Sequence, residues 1–159
     1  MNRLIEEINV TAVNLSLELE RAVIEHKLQE DEGIYVTEDG WFPFWINILK
    51  SKGFIGFTTY LMLRKNSTTL QRLELANQFN CDTYMSSAYV VENMLKIDHV
   101  LSYRNGMLSE TLIRACRQYS GGIGLFIAEH DPNYQVLMRL TEAETDLVVN
   151  EDADKPEVK

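Results

Sequence analysis

The chain has 159 residues, 45% of them hydrophobic, which suits one domain whose core needs neither a disulfide staple nor a structural metal. A formal charge of −9 argues against nucleic-acid backbones and anionic membrane surfaces as partners. No apolar run is long enough to span a bilayer, and Glu6 and Glu7 stand where a signal peptide needs its apolar core, so a cytoplasmic protein is expected.

Leu4, Ile8, Ala12, Leu15, Leu19, Ala22 and Val23 keep a helical spacing. The β-branched, Asn-rich stretch from Asn9 to Asn14 is a poor helix former. The spacing therefore predicts a helix from about Leu15 to Lys27 and leaves residues 1–13 open. Glu30-Asp31-Glu32-Gly33 ends it. Ile34–Thr37 reads as a short strand, and Asp39-Gly40 signals a hairpin into the next one.

That next segment, Trp41–Arg64, organises the chain. Two runs rich in aromatic and branched residues flank Lys50-Ser51-Lys52-Gly53, the pattern of a β-hairpin. On its second strand Ile55, Phe57, Leu61 and Leu63 point one way, and Phe54, Tyr60 and Met62 the other. Both faces are bulky, so the second face needs cover.

Asn66-Ser67-Thr68 offers caps for a helix whose predicted face is Leu70, Leu73, Ala76, Asn77 and Asn80, flanked by Leu75 and Phe79. Asn80 suits a left-handed C-terminal position. Ser87–Asn93 and Leu95–Tyr103 read as strands. The second places Leu95, Ile97, His99, Leu101 and Tyr103 inward, and Lys96, Asp98, Val100 and Ser102 on a wet side. Asn105-Gly106 makes a turn and Ser109 can cap the last helix. Its stripe of Leu112, Cys116, Tyr119, Ile123 and Phe126 passes straight through Gly121-Gly122. Asp131-Pro132 stops it, and Tyr134–Leu140 is expected as a short terminal helix. Residues 142–159 hold seven acids against Lys155 and Lys159, a net −5, so residues 141–159 are expected to form an acidic disordered tail on a single domain of residues 1–140.

This order of elements resembles the bacterial YbjN-type family of sensory transduction regulators. The hairpin Phe44–Arg64, Leu75-Ala76-Asn77-Gln78-Phe79-Asn80 and Arg104-Asn105-Gly106-Met107-Leu108-Ser109 carry the likeness, over roughly residues 15–130. The resemblance implies a fold similar to the small acidic chaperones of type III secretion, which are dimeric and bind extended client segments. It implies no catalytic residue.

Candidate chemistry is sparse. Gly121-Gly122-Ile123-Gly124 lacks the following Lys-Ser/Thr of a phosphate cradle, and glycines allowing close helix packing explain it better. Glu129-His130-Asp131 are adjacent on a helix end and so do not converge on one ion. His99 is expected as a hydrogen-bonded core or interface histidine, and His26 shows no partner. Cys116 falls on a buried stripe and Cys81 beyond a helix end; neither has a nucleophile's base nearby. Asn77 and Asn80 are expected to bond the helix end and adjacent loop backbone. Met62, Met85, Met94, Met107 and Met138 read as core filler, although methionine also suits adaptable surfaces.

The reading is an α+β fold: a mostly antiparallel sheet of about five or six strands with helices on one face, type III secretion chaperone-like by the resemblance. The favoured function is a non-enzymatic protein-binding module, chaperone-like or regulatory. It would bind a protein partner or client segment through the uncovered sheet face at Trp45, Phe54, Tyr60 and Met62, and form a homodimer. No metal, cofactor or catalytic residue is expected. The alternative is a small ligand-binding domain or enzyme with a site assembled from distant residues, which a deep cavity with converging His, Asp or Glu would favour.

Overall fold

A computed structural model describes residues 3–31, 33–83 and 85–142. The expected tail lies, beyond residue 142, outside these residues. Strands β1 (Leu4–Ile5), β2 (His26–Leu28), β3 (Ile34–Val36), β4 (Phe44–Leu49), β5 (Phe54–Met62), β6 (Ser86–Val91), β7 (Met94–Ser102) and β8 (Met107–Leu108) alternate with helices α1 (Ala12–Arg21), α2 (Thr69–Asp82) and α3 (Ser109–His130).

Six strands form one antiparallel sheet in the order β2-β3-β4-β5-β7-β6, an α+β architecture with the long β5–β7 pair running through its middle. The register puts Phe44, Ile46, Ile55, Phe57, Leu61, Leu95 and Ile97 on one face, all buried beneath the helices. The inward and outward sets expected for β5 and β7 are the ones observed. Asp39-Gly40 does connect two paired strands, but Trp41, Phe42 and Pro43 belong to the connection and not to β4. Gly40 there adopts φ +75°, which a residue with a Cβ resists.

The helices differ from expectation in specific ways. Thr11 caps α1 by accepting from the Asn14 N–H, so the helix starts earlier than Leu15. It also ends earlier. Val23 takes φ +57°, the chain reverses, and His26–Leu28 pairs with β3 instead of continuing the helix to Lys27. Thr68 and Gln71 form a reciprocal capping box at α2. The buried face of α2 is Leu75, Ala76 and Phe79, whereas Leu70 and Leu73 are 65% and 53% exposed. The helix also runs past Asn80 to Asp82, and no left-handed residue is needed. Asn80 instead reaches across to β6, accepting from the Ala88 N–H at 2.7 Å and donating to its carbonyl at 2.9 Å. Its side chain thus completes the outer edge of the sheet.

Helix α3 is continuous through its glycines. Ser109 does not cap it; its hydroxyl accepts from the Arg3 N–H and so ties the start of the helix to the amino-terminal segment. Tyr119 fixes the helix against the sheet. Its ring packs on Phe44 (5.3 Å) and Phe57 (5.7 Å), and its hydroxyl donates to the Ile97 carbonyl at 2.7 Å. Phe79 of α2 meets Phe126 of α3 edge-to-face at 4.9 Å, joining the two helices.

The segment after α3 is not the expected short helix. It returns to the sheet: Leu137 bridges Leu63, Arg64 N–H donates to the Val136 carbonyl, and Met138 N–H to the Met62 carbonyl. Asp131 holds this path, its buried carboxyl group accepting from the backbone N–H groups of Gln135, Val136 and Leu137. Replacing Asp131 with Ala strands three donors at the edge of the core. We expect a loss of roughly 3 kcal/mol of stability by urea unfolding. A loss below about 0.5 kcal/mol would mean that water serves those donors equally well.

Candidate functional site

The second face of the sheet is open among the described residues, and all four candidate residues point onto it. Trp45 stands between Tyr35 and Thr58, its ring centroid 4.7 Å from that of Tyr35. Tyr60 and Met62 lie further along β5, with Lys96 and Met94 opposite them on β7. Tyr89 and Val91 extend these two rows onto β6. Phe54 is separate. It lies at the far end of β5, opposite Leu49 and Ser102, with Val100 as a diagonal neighbour.

A polar row divides the two apolar patches. Asp98 accepts from the Thr58 hydroxyl at 2.7 Å and the Tyr89 hydroxyl at 2.6 Å, and lies 3.2 Å from the Lys96 ammonium. That ammonium sits between two rings, 5.8 Å from the centroid of Tyr60 and 5.4 Å from that of Tyr89. The Tyr89 hydroxyl first, and then Asp98, hold Lys96 protonated well above the ordinary lysine range. Strand parity had already placed Lys96, Asp98 and Val100 on this side. Tyr89 and Val91, at the centre of the expected β6 strand, carry no face assignment from sequence because a six-residue strand with weak alternation does not show which face is wet.

The helical side holds a cavity of about 400 Å³, bounded by Phe79 at the end of α2, Met85, His99 of β7, and Tyr119, Gly122 and Ile123 of α3. His99 is indeed a hydrogen-bonded histidine. Its Nδ1 lies 2.8 Å from the Met85 carbonyl, which requires the N–H on that nitrogen and leaves Nε2 as the acceptor of the neutral ring. Phe57 packs edge-on at 5.4 Å. The glycines do not serve close packing as expected: a Cβ at Gly121 or Gly122 would meet nothing within 4 Å. At Gly124 it would only touch the Phe42 ring, at 3.5 Å.

Other candidates disperse. His130 Nε2 faces Asp82 at 2.6 Å and is 3.9 Å from Glu129, while Asp131 is committed to backbone donors. His26 does have a partner, the Ser16 hydroxyl at 2.7 Å. Burial pushes the Cys116 thiol up to about 12, far from a nucleophile's range.

An open, half-apolar sheet face backed by three helices defines the class: an α+β protein with one packed and one exposed sheet surface. The chain belongs to the YbjN family, described as "Putative bacterial sensory transduction regulator", whose sequence profile matches residues 11–129. Its structure is similar to the crystal structure of YbjN from E. coli, described as "a putative transcription regulator", with a TM-score of 0.65 and 18% identity over 80% of this chain and 95% of that one. It is also similar to a chain of the HopA1-SchA chaperone-effector complex, with a TM-score of 0.53 and 10% identity over 74% and 90%. No curated protein sequence matches it significantly.

Burial of the His99 ring disfavours its charged form and lowers its folded-state pKa below the ordinary 6.5. Between the two values the unfolded chain binds more protons, so this contribution to stability is present above about pH 6.5 and is lost as pH falls. The His99 ring resonances should therefore titrate with a midpoint below 6.5 by NMR. His99→Phe should flatten the decline of stability between about pH 7 and pH 5. A midpoint at or above 6.5 contradicts the assignment.

Proposed function

We propose that the protein is a non-enzymatic, cytoplasmic protein-binding module, chaperone-like or regulatory, which works through the open sheet face and forms a homodimer. The observation that carries this reading is the apolar patch of exposed Tyr60, Tyr89 and Val91, with half-buried Trp45, Met62 and Met94 beside them. Tyr60, Tyr89 and Val91 are 46%, 41% and 37% exposed although they sit on central and edge strands of a well-packed sheet. Aromatic and methionine side chains of this kind are enriched in protein interfaces. Lys96 and Asp98, paired in their midst, add a polar centre able to fix the orientation of a partner. The chaperone-effector complex that shares the fold gives the same reading indirect support. A bound client segment would lie across this face, with the two methionines adapting to its side chains.

The face can be altered without touching the core, because its side chains point away from it. The double variant Tyr60→Glu/Val91→Glu should remain folded by circular dichroism. Light scattering coupled to gel filtration at micromolar concentration should give twice the chain mass for the original protein. Partner segments crosslinked to a photoreactive group at Met62 should be lost from the variant. A monomeric original protein would end the dimer proposal, and capture unchanged by the double variant would move the binding surface elsewhere.

A further inference from the structure

The cavity between α2, β7 and α3 lies on the opposite side of the sheet from the proposed protein-binding face, and it is built differently. Its walls come from the end of α2, the start of β6, the middle of β7 and the Ala115–Ile123 face of α3. The wall atoms are mostly apolar, contributed by Phe79, Met85, Tyr119 and Ile123. A volume of about 400 Å³ falls in the range that small-molecule sites occupy, of order 300–1,000 Å³. The space exists partly because residue 122 is glycine. Any side chain there would project into room that no other atom claims.

The polar groups restrict what could enter. Among the described residues no Asp, Glu, Lys or Arg lines the cavity. Its polar side chains, Thr83, Ser86, His99 and Gln118, are uncharged or weakly basic, so a charged ligand would meet no full counter-charge there. The Thr83 hydroxyl is spent as a donor, lying 2.8 Å from the Phe79 carbonyl and 3.0 Å from that of Ser86. His99 is different. Its ring orientation is fixed by the Met85 carbonyl, and that bond leaves the second nitrogen to accept rather than donate. Rings also surround the space, since Phe79, Tyr119 and His99 all line it and aromatic groups pack well edge-to-face against one another. We propose that this cavity is a binding site for a small, uncharged aromatic molecule carrying one N–H or O–H donor, which packs between Phe79 and Tyr119 and hydrogen-bonds to His99.

The test uses the whole chain at pH 7.5, backbone amide NMR, and three probes: indole, N-methylindole and benzoate. Indole should give saturable shifts centred on Thr83, Ser86, Ala115 and Ile123. N-methylindole, which lacks the donor, should bind about tenfold more weakly, the loss expected for one hydrogen bond. Benzoate should not saturate. Gly122→Leu should fill the space and abolish indole binding while the spectrum stays dispersed. If leucine disrupts the helix, Ala115→Leu blocks the same space from the neighbouring turn. Absence of saturable indole binding at millimolar concentration overturns the proposal. So do shifts centred on Trp45 and Tyr60, equal affinity for the methylated probe, or binding unchanged in a folded, filled variant. Only shifts centred on Trp45 and Tyr60 would bear on the open face, and they would move the indole site there; the other outcomes leave the proposed protein-binding face untouched.

Discussion

Tyr119 governs the geometry of the helical layer. A phenol buried among Phe44, Phe57 and His99 gains from ring packing only while its hydroxyl has a partner, and the Ile97 carbonyl on β7 supplies one. Burial keeps the hydroxyl protonated well above the ordinary tyrosine range, so it remains a donor at any pH the protein meets. With the adjacent Ser120 hydroxyl, which accepts from the Phe42 N–H at 2.8 Å, this bond fixes the depth and rotation of α3. From that placement follow the burial of Cys116 and Ile123, the meeting of Phe126 with Phe79, and the gap that opens at Gly122.

The two faces of the sheet obey different rules. Most inward positions on β4, β5 and β7 hold large apolar side chains with almost no exposure (Phe44, Ile46, Ile55, Phe57, Leu61, Leu95 and Ile97), and their register cannot slip without sending that set to solvent. Outward positions tolerate a mixture. Tyr, Trp and Met alternate with Lys96, Asp98 and Thr58, and charge pairing there uses side-chain oxygens that would be costly inside. A sheet with one face invariant in character and the other free to vary is a suitable scaffold for recognition. Changes on the open side leave packing untouched.

Long, strongly alternating segments were legible in the sequence. β7 read correctly because Leu95, Ile97, His99 and Leu101 share one parity, and β5 because Ile55, Phe57 and Leu61 do. Short elements were not. His26–Leu28 is three residues long, too brief to show a period, and Ala22-Val23 prolongs the helical spacing of α1 by coincidence. The face of α2 was misread because Leu70 and Leu73 are apolar yet exposed, so the count of leucines outweighed the Leu75, Ala76 and Phe79 stripe that packs. Of the candidate site, the outward parity of Trp45, Phe54, Tyr60 and Met62 was readable. Their division into two patches required the register, since Phe54 is separated from Tyr60 by Gly56 and Thr58. The cavity could not be read at all. His99 and Gly122 each stood out alone, but the walls come from three separate stretches, Phe79–Ser86, His99 and Ala115–Ile123, that no local pattern joins.

The late return of the chain to β5 has a consequence for how the protein is made. The extension of β5 at Leu63 and Arg64 is completed only by Val136–Met138, and β1 finds its partner only when Met107-Leu108 appear. During synthesis the β4–β5 hairpin must therefore wait several seconds with an unfinished edge, given elongation at roughly 5–20 residues per second. β7 and the turn before it arrive in that interval and cover one side of β5 as far as Leu63, whose N–H donates to the Asn93 carbonyl. The other side of that end stays unpaired until Val136–Met138 emerge. Contacts of such long sequence separation slow folding and extend the period in which strand edges can find a wrong neighbour. Arg64 and Lys65 stand at that end, and a charge beside an unpaired edge discourages association with another nascent chain.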